Sequence, residues 1–315
     1  MTPRLVVWLG IAACVQLAAV AFLYWPERGS NPAAAANTET LLPLPRDEVA
    51  RIGITGADGD SVMLVRRDGQ WSIEANALPA ATSPVDRLLD ALGRSAGFPV
   101  ARSENARKRF EVAAGHFQRR ITLADHVAGT ESPENAVTKT ATVYLGTSPG
   151  MRRVHARRGD SDVIQSIALS TFDVPATMDG WLDPNLLSMD AIERVTVARG
   201  EWKKQGNTWT TTGDGAIEKA AAPDALAALE RTLANLQITG ILADEARSQV
   251  SAQAAFEFTI ASSAQAISLR LVPNTDGEEA RLYSSQFDRW FTLSAYDRDR
   301  LANALDDLTK AAARW

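Results

Sequence analysis

Three hydrophobic rhythms divide the chain. Leu5 to Trp25, LVVWLGIAACVQLAAVAFLYW, is continuously apolar, with Gln16 as its only strongly polar side chain. From Val49 the pattern becomes the every-second-residue alternation of a half-buried strand, as in VARIGIT and SVMLVRR. Twice it then switches to the three-and-four spacing of an amphipathic helix, at Leu88, Leu89 and Leu92 and again at Leu226, Leu229, Leu233 and Leu236.

The first rhythm predicts a membrane anchor. As a helix, Leu5–Trp25 spans roughly 31 Å, the thickness of a bilayer core. Tyr24 and Trp25 fall where interfacial aromatics sit, and Pro26 ends the helix. Arg4 precedes the run, whereas Glu27 and Arg28 cancel after it, so the N-terminus is expected in the cytoplasm and the remainder outside. A cleaved signal peptide would carry a shorter apolar region. Ile11–Cys14, IAAC, resembles a bacterial lipobox that would lipidate Cys14, but the apolar run continues well past it. An uncleaved anchor over residues 1–26 is therefore favoured, with a Pro- and Ala-rich tether over 27–46.

The second and third rhythms repeat. Asp68–Ile73, DGQWSI, is a tight turn leading a Trp-bearing strand; Gly206–Trp209 repeats it within QGNTWTT and sets Trp209 against Trp71. Ser83 is positioned to cap a first helix starting at Pro84, and a second helix is expected from Pro223. ITGILA then corresponds to GFPVAR, FEFTIAS to FQRRITLAD, AISLRLV to TATVYLG, and EARLYSSQFDRWFTL to RRVHARRGDSDVIQSI. The first copy carries an extra polar stretch, residues 126–140, with the composition of a long exposed loop. The expected fold is α+β: a duplicated domain over 47–187 and 188–315, each copy a mainly antiparallel sheet with a packed helix. Between them, WLDPNLL predicts a helix start at Asp183 and Pro184, with Trp181 packed beneath a single short turn. A last helix follows Ser294, with Asp297 three residues on.

Composition narrows the function. In 315 residues, 33 basic side chains face 38 acidic ones, a net charge of −5 that gives no overall field for DNA or RNA. Cys14 is the single cysteine, which excludes an intrachain disulfide. His116, His126 and His155 lack helical metal-ligand spacing, and Asp58 and Asp60 read as a hairpin turn rather than a calcium loop. Alternation puts Arg153, His155 and Arg157 on one face, expected to be a solvated basic surface, with an anionic partner as the second reading. There is no GxSxG, SxxK, phosphate loop or Rossmann fingerprint, so no catalytic, cofactor or metal residue is assigned. Trp71, Trp202, Trp209 and Trp290 could stack on a sugar, but the recurrence of Trp71 and Trp209 favours core packing.

The turn-plus-Trp strand, the Pro-led Leu helix, the YLGTSPG…VHAR…DVIQSI run and WLDPNLL together resemble the domain-of-unknown-function (DUF) family four-three-four-zero. The resemblance covers most of the chain after residue 47, and FEVAAGHFQRR departs from the family's pattern. It implies an envelope protein accompanying ABC-type transporters of the gliding-motility and ABC-2 kind, and it brings no catalytic residues. The expectation is a non-enzymatic accessory or scaffold in the bacterial inner membrane, its body periplasmic and its partner a membrane permease or other envelope protein. A sheet edge or the loop Val127–Thr140 would supply the contact surface. The alternatives are an envelope polysaccharide or peptidoglycan hydrolase, and a lipid- or small-ligand-binding module.

Overall fold

The computed structural model describes residues 40–312 except 95–98, 127–138, 199, 207, 214–215, 220–222, 243–255, 263–264 and 273–279. The apolar run, Cys14 and most of the loop 127–140 lie outside the described residues. No helix among the described residues is long and apolar enough to cross a membrane.

The first sheet begins as a meander of β1 (Arg51–Gly56), β2 (Ser61–Arg67) and β3 (Gln70–Ile73). Its second turn is Asp68-Gly69, with φ of 51° and 79°; positive φ at both positions matches the twist of a two-residue hairpin, and Gly supplies it without strain. Ile52, Ile54, Leu64 and Ile73 point to one face, and α1 (Thr82–Gly93) covers it with Val85, Leu88, Leu89 and Leu92. Ser83 does not cap this helix. Ala81 occupies the cap position, Pro84 is the third helical residue, and the Ser83 hydroxyl instead accepts from Arg87, 3.0 Å away. Pro is tolerated throughout the first turn because those N–H groups have no helical partner. The chain then crosses to the far edge, where α2 (Glu104–Arg109) and the hairpin β4 (Val112–Ala113)/β5 (His116–Phe117) lead into β6 (Arg119–Ala124), β7 (Thr140–Leu145), β8 (Val154–Arg158) and β9 (Ile164–Ile167). The strand order is β3-β2-β1-β6-β7-β8-β9, antiparallel throughout.

The second half repeats this plan. Strands β10 (Arg194–Val197), β11 (Gly200–Gln205), β12 (Thr208–Gly213) and β13 (Ala216–Lys219) precede α3 (Pro223–Ala234) and β14 (Ile238–Ile241). They are followed by β15 (Phe256–Ala261), β16 (Ala266–Val272), β17 (Ala280–Ser284), β18 (Arg289–Leu293) and α4 (Ala295–Ala312), giving the order β13-β12-β11-β10-β15-β16-β17-β18-β14. The helix in each half carries the chain from one sheet edge to the other. At that far edge β14 pairs with β18, and in the first half Val100–Ala101 pairs with β9 through Ile164. The two sheets fit one duplicated unit within an α+β, sheet-rich fold. The last helix starts as expected, Ser294 accepting the Asp297 N–H at 3.1 Å.

WLDP joins the halves. Ala81 donates to the Trp181 carbonyl, Asp183 to Pro79, and Ile238 to Pro184. Pro79 and Ala80 pair in turn with the β3 edge. The chain at 181–184, the end of a 3₁₀ turn followed by a single bridge of Leu182 to Ala80, thus stitches the β3 edge of one sheet to β14 of the other, and one buried apolar cluster continues through both halves. The end of the expected tether also belongs to the body. Leu41, Leu42 and Leu44 are buried, and Leu42 donates to the Leu92 carbonyl at 3.1 Å, because LLPL carries too much apolar surface to remain in water.

Candidate functional site

Two features stand out, one closed and one open. The closed one is the face expected to be solvated. His155 and Arg157 on β8 are buried, because α2 and the β4/β5 hairpin lie over them. Arg157 donates through Nε to Val112 O (2.8 Å) and through Nη1 to the carbonyls of Arg158 (2.9 Å), Gly159 (3.2 Å) and Ser161 (2.8 Å). Its guanidinium stacks 5.0 Å from the Tyr144 ring centroid. His155 Nδ1 shares a hydrogen bond with the Thr147 hydroxyl at 3.0 Å, and its ring centre lies 4.2 Å from that of Phe110. A Cβ at Gly146 would come within 1.9 Å of Phe110 O, so the strand can approach the cover only with glycine there. Arg153 remains exposed and donates to the Ser166 hydroxyl at 2.9 Å.

The open feature is a groove at the junction. A depression of about 510 Å³ is lined by Asp60 and Ser61 of the first hairpin, Asn76, Thr177–Asp179 of the connector, Ile241 at the end of β14 with Leu242 after it, and Arg289 of β18. A second depression of about 440 Å³ shares Ser61, Ala75 and Met178 and continues over the uncovered face of the first sheet, past Gly53, Met63, Arg120 and Thr122. Gly53 keeps the floor low, since a Cβ there would meet Thr122 Oγ1 at 2.4 Å. Asp179 accepts the Ile241 N–H at 3.2 Å and so holds the two halves at the groove's base. Met63 and Met178 give the walls an apolar surface able to fit more than one shape. Open, elongated and mixed in polarity, the groove suits an extended chain better than a small reacting molecule.

A family model described as domain of unknown function (DUF4340) matches residues 71–255. The chain belongs to this family. Neither the curated proteins nor the solved structures yield a match.

The DUF4340 match begins at Trp71 and runs across the junction. Trp71 and Trp209 hold the same place in the two sheets, each opposite a cation on the neighbouring strand: Arg66 lies 5.5 Å from the Trp71 ring and Lys204 5.6 Å from that of Trp209. Both rings are buried, as are Trp202 and Trp290, so none of the four offers the open face that sugar stacking needs. Trp181 is fully buried, and its Nε1 donates to Pro175 O at 2.7 Å. Asp183 and Pro184 begin a hydrogen-bonded turn, not a helix; Asp183 Oδ1 accepts the Asn185 N–H at 3.0 Å. Asp58 accepts the Asp60 N–H at 3.3 Å, as a turn residue does. Among the described residues no group of His, Cys, Asp or Glu side chains is placed to hold a metal ion.

Burial lowers the His155 pKa below its ordinary value, with a smaller opposing contribution from hydrogen bonding to Thr147. The imidazole is therefore neutral in the fold and protonates more readily in the unfolded chain. Its contribution to stability is complete above about pH 6.5, and it is lost as the pH falls from there towards the lowered folded-state value. Urea midpoints of the full chain are expected to drop over that window, and His155→Gln is expected to flatten that part of the slope. An unchanged slope in the variant would place the titrating group elsewhere.

Proposed function

We propose that this DUF4340 chain is a non-enzymatic accessory protein of an envelope complex, held in the bacterial inner membrane by Leu5–Trp25 with its body in the periplasm. Its partner is the permease of an ABC-type transporter or another inner-membrane protein. The observation that carries this reading is the junction groove, whose Met178 and Met63 walls and polar floor suit an extended segment of a partner. Anchoring confines the body beside that partner and raises its effective concentration without a tight interface.

A photo-crosslinker at Met178 of the full chain in native membranes is expected to capture a membrane-embedded protein. The same probe at Thr208, at the start of β12 in the second sheet, is expected to capture none. Equal yields at both positions would remove the groove as the docking site. A reporter fused at Trp315 and active only in the cytoplasm would overturn the topology. A second reading, an envelope polysaccharide hydrolase, draws on Asp60 and Asp179 lining one groove. Glycan turnover by the purified chain, abolished by Asp60→Asn, would favour it.

A further inference from the structure

Met151 and Phe172 are the most exposed large apolar side chains among the described residues, at 96% and 90%. Neither sits on a loose tip. Ser148 Oγ donates to the carbonyl of Gly150 (2.6 Å) or Arg153 (2.7 Å), closing the turn that carries Met151. Phe172 rides on a single 3₁₀ turn with a reciprocal Ser170–Asp173 cap. One exposed apolar side chain needs no partner, but two that flank the same depression make a patch of the kind that marks an interaction site.

Their chain neighbours Arg152 and Asp173 line one depression of about 590 Å³, together with Arg87 and Asp90 of α1 and Arg94 just after it. Both carboxylates there are already engaged. Asp90 pairs with Arg46, and Asp173 accepts the Ser170 N–H at 3.0 Å. The lining therefore carries three guanidinium groups against two carboxylates, one of which is shared with Arg46, a local excess of positive charge in a chain whose overall charge is −5. The body's first described residues also arrive here: Leu42 is bonded to Leu92, two residues before Arg94. Only residues 26–39 separate Trp25 from Thr40, at most about 50 Å of fully extended chain.

We propose that Met151, Phe172 and the Arg87, Arg94 and Arg152 cluster form a face that docks on a bilayer surface rich in anionic lipid headgroups. Two apolar side chains flanked by cations match the layering of that surface, with hydrocarbon beneath phosphate. The proposal rests on the anchored reading given above, and it adds an orientation: the helix α1 end of the first half faces the membrane. The junction groove is then presented at a fixed height beside the anchor.

The test uses the full chain in lipid nanodiscs. In a Cys14→Ser background, an environment-sensitive fluorophore is attached at Phe172→Cys or, as a control, at Thr208→Cys. With phosphatidylglycerol in the disc, the Phe172 probe is expected to shift to the blue and lose most of its quenching by aqueous iodide. With phosphatidylcholine alone, in high salt, or with Arg94→Glu and Arg152→Glu together, it is expected to remain quenched like the Thr208 probe. A probe that stays in water in every disc overturns the proposal. So does burial that ignores lipid charge, or a response to inorganic pyrophosphate that replaces the response to lipid. Failure of the chain to copurify with discs of any composition would instead sink the anchored reading itself, and docking with it.

Discussion

Trp181→Ala is expected to lower the stability of the full chain by about 3–5 kcal/mol, read as a shift of the urea midpoint. The indole is fully buried, so its removal leaves a cavity, and it strands the Pro175 carbonyl that Nε1 satisfied. The position magnifies the effect. The backbone on either side of the ring makes the hydrogen bonds that join Pro79–Ala81 to Pro184 and Ile238, and hence one sheet to the other. The loss is a large share of the roughly 5–15 kcal/mol that holds a typical domain folded. Trp181→Phe keeps most of the apolar contact and forfeits the hydrogen bond, so its cost is expected to be smaller, about 1–3 kcal/mol. A change below about 1 kcal/mol for the alanine variant would mean that the junction is not where the halves are held.

Much of the repeat was legible because it is written in residue types with one structural use. The Asp68-Gly69 turn, the period-two alternation and the Leu stripes each report local geometry, so correspondences such as TATVYLG with AISLRLV match the pairing in the structure: Leu145 faces Arg119 as Leu271 faces Phe256. The conserved role of Trp71 and Trp209 extends to a partner that sequence reading missed, the cation directly opposite each. The solvated basic face failed for a definite reason. Alternation tells which side chains share a face of β8, but not whether anything covers it. Here the cover is a short helix and a two-residue-strand hairpin drawn from ENARKRFEVAAGHF, too brief and too charged to announce a buried surface. The junction groove had no signal at all, since Asp60, Met63, Met178, Ile241 and Arg289 meet only through the strand order of both sheets. Ser83 misled because the helix starts two residues earlier, with Ala81 at the cap, where the apolar stripe rather than the capping residue fixes its start.

Arg157→Met should be nearly as damaging as the loss of Trp181, with an expected cost of about 3–5 kcal/mol, because several buried carbonyls lose their donor at once, each at about 1–3 kcal/mol where water cannot replace it. Burial, and then the like charge of Arg107, pull the Arg157 pKa down from its usual value, so the fold spends free energy to keep this cation inside. Four carbonyls and the Tyr144 ring compensate, and without the guanidinium the carbonyls of Val112, Gly159 and Ser161 must find water beneath a cover that excludes it. Arg157→Lys should recover little, since an ammonium cannot reach acceptors spread around a planar fork while stacking on the ring. The second half contains the control. There the pair is exchanged: Arg270 on β16 faces Tyr283 on β17, where Tyr144 on β7 faces Arg157 on β8. Arg270 stands 6.0 Å from its ring, with 38% of its side chain open to solvent. Arg270→Met is therefore expected to cost no more than about 0.5–1 kcal/mol, the worth of an exposed cation over a ring. The same register and the same two residue types would then differ severalfold in energy, with burial under α2 and its hairpin as the cause. Equal losses at both positions would show that the cover contributes nothing, and hydrogen exchange at Val112 and Phe117, faster only in the Arg157 variant, would identify what the buried cation holds in place.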